Sequence, residues 1–128
     1  MKVSGHGRLK LPASRVSASR FGFNTPVNYD DVSTHCGHYK HFDKLTPSIC
    51  NICGGLPGTK KLMAPGKYGT GTITGEYRSG GIIKLAYNAV ASHKGYFLVK
   101  LCINNDVKKD ICTQADFDKF VILTLLFI

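Results

Sequence analysis

The sequence predicts an all-β chain: an antiparallel sandwich or barrel with long irregular loops. Three observations predict it. Two alternating runs, Thr70–Arg78 around Ile73 and Tyr77 and Ile83–Ala89 around Leu85 and Tyr87, flank Gly80–Gly81, the pattern of a β-hairpin. A further run, Tyr96–Cys102, is rich in aromatic and branched residues and follows a break at Ser92–Gly95. Finally, 14 glycines, no tryptophan and a charged fraction of only 20% do not suit a coiled coil or a long-helix bundle.

Taken in order, residues 6–49 show little periodicity, and Gly, Pro, Asn and Ser recur, so extended and looped chain is expected there. Residues 50–71 crowd out helices with Gly54, Gly55, Pro57, Gly58, Pro65, Gly66, Gly69 and Gly71. The hairpin and the Tyr96–Cys102 strand follow, then a polar loop at Asn104–Asp110. The segment Asp116–Ile128 reads as a fourth strand or a short helix, and its β-branched and aromatic content favours strand. Short strands with turns between them indicate sheets packed in layers.

At 128 residues the chain holds one domain, and 43% hydrophobic residues allow a packed core. The apolar run Phe120–Ile128 is far shorter than the roughly 20 residues of a membrane-spanning helix. Net charge is +9, and it is uneven: residues 1–29 carry Lys2, Arg8, Lys10, Arg15 and Arg20 before the first carboxylate, Asp30. Such a segment attracts nucleic acid, resembles a transit peptide in composition, or is simply a solvated basic surface. Gly5, Gly7, Pro12, Gly22 and Pro26 weigh against the amphipathic helix of a transit peptide. Met1–Gly5 lacks the apolar stretch of a secretory signal.

Three groups of residues have metal-binding chemistry. His35, Cys36, His38, His41 and the Cys50–Cys53 CxxC pair offer nitrogen and sulfur donors for zinc, although one CxxC alone fits no common finger and disulfides compete for the same thiols. His6 gains interest where a chain starts at it, because a free α-amine and an imidazole nitrogen together suit Cu(II). His93 lies in the break between two strands, where sites are commonly built.

Several short motifs occur in one order: His6-Gly-Arg-Leu, Arg20-Phe-Gly-Phe-Asn-Thr-Pro26, Asn28-Tyr-Asp30, Cys50-Asn-Ile-Cys-Gly54, Pro65-Gly-Lys-Tyr68, Thr70-Gly-Thr-Ile-Thr74 and His93-Lys-Gly-Tyr-Phe97. Together they resemble the chitin-binding type-4 domain of lytic polysaccharide monooxygenases of auxiliary activity family 15. The resemblance implies an immunoglobulin/fibronectin III-like β-sandwich spanning residues 6–120, incomplete at the C-terminus, after a leader or gene-model remnant at 1–5 and before an apolar tail at 121–128. It also implies a secreted, extracellular copper enzyme that cleaves chitin or a cellulose-like β-1,4-linked polysaccharide oxidatively with an external electron donor. Its partners would include neither nucleic acid nor membrane, and it would be a monomer.

The same resemblance implies a copper brace of His6 and His93, with Ala91 as the small residue near the metal. It implies disulfides Cys36–Cys50 and Cys53–Cys102, which leave Cys112 as the odd thiol. The chain departs from the family pattern at four points. His6 follows Gly5, no signal sequence precedes it, the family's later axial tyrosine motif is missing, and Asp116 stands where the family has a cysteine. A non-catalytic polysaccharide-binding module and a small basic zinc or nucleic-acid-binding protein are the alternative readings.

Overall fold

The computed structural model describes residues 6–35, 51–56, 58–91, 95–109 and 111–127. Within them the chain is mostly strand and loop. Strands β1 (His6–Leu11) and β2 (Ala86–Ala91) form one antiparallel ribbon; β3 (Gly95–Lys100) and β4 (Val121–Phe127) form another. A short helix, α1 (Gln114–Asp118), leads into β4.

β1 ends where Pro12, which has no amide proton, cannot extend the ladder. Its register on β2 runs from His6 opposite Ala91 to Leu11 opposite Ala86, with irregularities beside His6 and Leu11. Beyond β1 the chain turns back on itself: the Ser14 amide donates to Leu9 O at 3.1 Å, and the buried Ser17 hydroxyl meets that of Ser14 at 2.6 Å. A 3₁₀ turn at Ala18–Phe21 stops at Gly22, whose φ of 90° favours glycine.

The core sits between this N-terminal segment and residues 60–74. Val16, Leu62 and Tyr68 are buried together, with Cys53 packed against them. Polar ties reinforce the junction: the Arg15 guanidinium donates to Leu62 O at 2.9 Å, and the Thr74 hydroxyl donates to Ala13 O at 2.8 Å. Burial alone is modest, because Ile73, Tyr77, Ile83, Ile103 and Ile111 remain exposed. Across the two ribbons, Tyr87 of β2 meets Phe97 of β3 with ring centroids 4.3 Å apart and tilted by 60°. Tilted aromatic pairs add to simple area burial.

Three expectations need correction. The turn at Gly80–Gly81 exists, closed by the Gly81 amide on Arg78 O at 2.9 Å, but it joins no hairpin. Residues 70–78 are not strand, and Ala86–Ala91 pairs with β1 instead. The turn chemistry was read correctly, but Ile82 is almost fully solvent-exposed and Ile73 and Tyr77 about half, so the flanking alternation has no face to pack on. The Asp116–Ile128 stretch, favoured as one strand, divides into the end of a helix and a strand. Thr113 and Asp116 form a reciprocal capping box that starts the helix. The apolar run after Phe120 then pairs along β3, from Val121 opposite Lys100 to Phe127 opposite Gly95.

The disulfide pattern also differs. Cys102 bonds to Cys112, with Cα atoms 6.2 Å apart, so Cys102 is not the partner of Cys53 and Cys112 is not left over. The loop between them is built for closure: the Asn104 amide donates to Lys109 O at 2.7 Å, while Asn104 and Asp106 side chains accept from the amides of Asp106 and Lys108. Cys36 and Cys50 lie outside the described residues.

Candidate metal centre

His6 opens β1, and its partner across the ladder is Ala91, the last residue of β2. The expected second ligand, His93, comes two residues later, outside the described residues. The ladder therefore joins the start of β1 to the end of β2, positions 6 and 91, which lie 85 residues apart in sequence. Ala91 is half-buried at that end.

Gly7 explains how the strand passes its neighbour. A Cβ built there would lie 2.0 Å from the Tyr87 hydroxyl oxygen and 2.7 Å from Asn88 O. Only glycine lets the phenol cross the strand beside His6. Partial burial pushes the Tyr87 hydroxyl above its ordinary pKa.

A polar loop also reaches the His6 ring. The Ser33 hydroxyl lies 3.4 Å from His6 Nδ1. Two residues before Ser33, Asp31 is buried, with only 2% of its surface exposed. Its carboxylate receives Arg20 Nε at 2.8 Å and Arg20 Nη2 at 3.2 Å, and it forms an ion pair with Arg8 Nε at 3.0 Å. Burial pushes the Asp31 carboxyl up, but hydrogen bonds and charge from Arg20 and Arg8 outweigh it and hold the group below its ordinary value. Asp31 in turn raises the Arg20 guanidinium.

These contacts change the reading of the basic N-terminal segment. Arg8 and Arg20 turn onto Asp31, and Arg15 turns onto Leu62 O. Three of its cations serve internal structure, which removes much of the apparent polyanion surface. The sequence reading missed Asp31 and Ser33 as members of the site. The signal present was the Asn28-Tyr-Asp-Asp31 cluster arriving after an acid-free, arginine-bearing run.

Of the zinc candidates, His35 and Cys53 are described, while Cys36, His38, His41 and Cys50 are not. Among the described residues no group of three or more His, Cys, Asp or Glu side chains gathers to hold a metal. Likewise no helix there is long and apolar enough to cross a membrane.

Among solved structures, the chain matches a lytic polysaccharide monooxygenase AA15 from Thermobia domestica in the Cu(I) state, with a TM-score of 0.79 and 33% identity over 91% of this chain. The backbone of this chain is similar to that of a family 15 lytic polysaccharide monooxygenase. It spans 60% of the length of the Thermobia protein. No family model matches it, and neither does any curated protein. The resemblance read from short ordered motifs is thus supported by the fold.

His6 brings an imidazole to the end of the β1–β2 ribbon where it pairs with Ala91, and an imidazole nitrogen is a donor that suits copper. The α-nitrogen of His6, however, is bound in a peptide with Gly5 in this sequence.

Proposed function

We propose that residues 6–120 form a copper-dependent monooxygenase-type domain, immunoglobulin/fibronectin III-like in plan, that acts on chitin or a related β-1,4-linked polysaccharide. His6 and His93 would hold the copper, with the small Ala91 near it, and an external electron donor would supply the reducing equivalents. The observation that carries the reading is the pairing of His6 with Ala91 in a chain whose backbone follows a copper monooxygenase. Copper supplies one-electron cycling that lets oxygen or peroxide be activated. The chain's own residues would do the positioning: β1 pairs His6 with Ala91 of β2, Gly7 admits Tyr87, and Ser33 stands beside the His6 ring. The protein acts outside the cell, as a monomer, and without nucleic acid or membrane partners.

The test is Cu(II) titration of the full chain and of a chain starting at His6. With Gly5 attached, two imidazoles bind copper weakly. Freeing the α-amine adds a nitrogen whose chelate with Nδ1 closes a small ring, so affinity rises by orders of magnitude. His93→Ala abolishes the gain. Equal affinity in the two chains sinks the brace.

One observation favours a second reading. Because Gly5 precedes His6, the untrimmed chain lacks the amine ligand and suits a non-catalytic polysaccharide-binding module. Retention on chitin without copper-dependent oxidation of it identifies that case.

A further inference from the structure

The deeply buried carboxylate of Asp31 has no part in the proposed chemistry, yet it sits two residues from a side chain that touches His6. Arg8, two residues beyond His6 on β1, reaches Asp31 from the strand, and Arg20 reaches it from the 3₁₀ turn. His6 and Arg8 therefore both contact the short segment 31–33, one through Ser33 and the other through Asp31. From this geometry we infer that the Arg8–Asp31–Arg20 triplet is a positioning device: it pins segment 31–33 against β1 so that the Ser33 hydroxyl sets the orientation and tautomer of the His6 ring.

The chemistry is specific. In the inferred arrangement the Ser33 hydroxyl is the donor to Nδ1, and the neutral ring then carries its proton on Nε2. The Nδ1 lone pair is then kept as an acceptor, which is the form a chelating imidazole needs. The long 3.4 Å contact is weak enough for a metal to displace. Asp31 acts only through Ser33 and is a positioning residue, as is Ser33 itself. The inference takes from the proposed function only that His6 is a ligand, and its test needs no metal.

The experiment is long-range 1H–15N NMR of the full, metal-free chain with 15N-labelled histidine at about pH 8.5, roughly two units above the ordinary imidazole value. His6→Ala assigns the His6 signals. The expected result is a His6 ring mainly in the Nε2–H form. Ser33→Ala lowers the tautomer ratio roughly two- to fivefold, the range one weak hydrogen bond supports. Ser33→Thr, which keeps the hydroxyl, restores it. Asp31→Asn shifts the ratio in the same direction, because Asp31 acts on the ring by holding the segment. Arg20→Gln, at a half-exposed guanidinium, repeats the test should Asp31→Asn fail to fold. A wild-type ring mainly in the Nδ1–H form, or a ratio unmoved by Ser33→Ala, overturns the role of Ser33. A ratio moved by Ser33→Ala but not by Asp31→Asn or Arg20→Gln overturns the role of the triplet. Copper titration of the same proteins fails separately, and only the proposed function falls with it.

Discussion

Removing the Asp31 carboxylate tests how much the ion triplet contributes to the fold. Losing one partner of a fully buried pair costs about 3–5 kcal/mol, because the remaining charge is left unpaired. Here the remaining charges differ. The Arg20 side chain is 47% exposed and can be rehydrated, whereas the Arg8 side chain is only 15% exposed. The expected loss for Asp31→Ala is therefore about 2–4 kcal/mol, with Arg8 responsible for most of it. For a chain of 128 residues, this lowers Tm by roughly 8–16 °C, at about 4 °C per kcal/mol. Urea and thermal unfolding followed by circular dichroism measure it at low micromolar protein. A loss under about 1 kcal/mol, the range of an exposed pair, would refute the reasoning.

The pH dependence gives the same test an internal control. The folded-state Asp31 value lies below the unfolded one, since the two guanidinium groups favour the charged form. Its stabilisation is thus fully present above about pH 4 and fades as pH falls through the folded value. The stability gap between wild type and Asp31→Ala should narrow below about pH 4. A gap that widens in acid contradicts the assignment.

Three further outcomes are expected. Peptide mapping without reduction should link Cys102 to Cys112, and Cys112→Ser should cost about 2–3 kcal/mol by the loop-closure relation for a separation of 10 residues; a map joining Cys102 to Cys53 contradicts the fold. Gly7→Ala should cost roughly 1–3 kcal/mol, since its methyl group meets both the Tyr87 ring and the Asn88 carbonyl; a neutral effect in thermal melts shows that Tyr87 does not cross there. With Ile103, Ile111 and Phe120 exposed around the disulfide, the chain should bind a hydrophobic dye; the absence of dye binding defeats that expectation.

Local chemistry was legible in the sequence more than long-range pairing was. The β3 segment was found from its composition to within two residues, and the Gly80–Gly81 turn from its glycines. The partner of Ala86–Ala91 was not, because alternation identifies a strand without naming its neighbour, and the neighbour is about 80 residues upstream. Cys102–Cys112 escaped for a related reason. Five cysteines permit many pairings, and spacing alone does not choose among them. The family pattern suggested a pairing in which Cys112 stood alone. Asp116 illustrates the opposite case: it departs from the family pattern, yet its capping box with Thr113 and its bond from Lys119 at 2.8 Å give it a local role. Those bonds hold its carboxyl well below the usual range.

The site residues follow the same division. His6 was identifiable because its type and motif carry the resemblance, while Ser33 and Asp31 acquire their roles only when β1 and the 3₁₀ turn converge. The physical reason lies in the small core. Val16, Leu62 and Tyr68 sit on the far side of the β1 turn from His6 in sequence, so apolar packing anchors the segment after β1 more than its start. The start is anchored by polar means instead: ladder bonds to β2, the Ser33 contact and the charge triplet. Such contacts are directional, whereas apolar burial is not. A directional anchor suits the role proposed for His6, whose ring would have to face one way to hold a metal. It also predicts where damage will separate: truncating Leu62 should lower global stability and leave the orientation of a still-folded His6 ring intact, whereas losing Ser33 should alter the ring and leave global stability nearly unchanged.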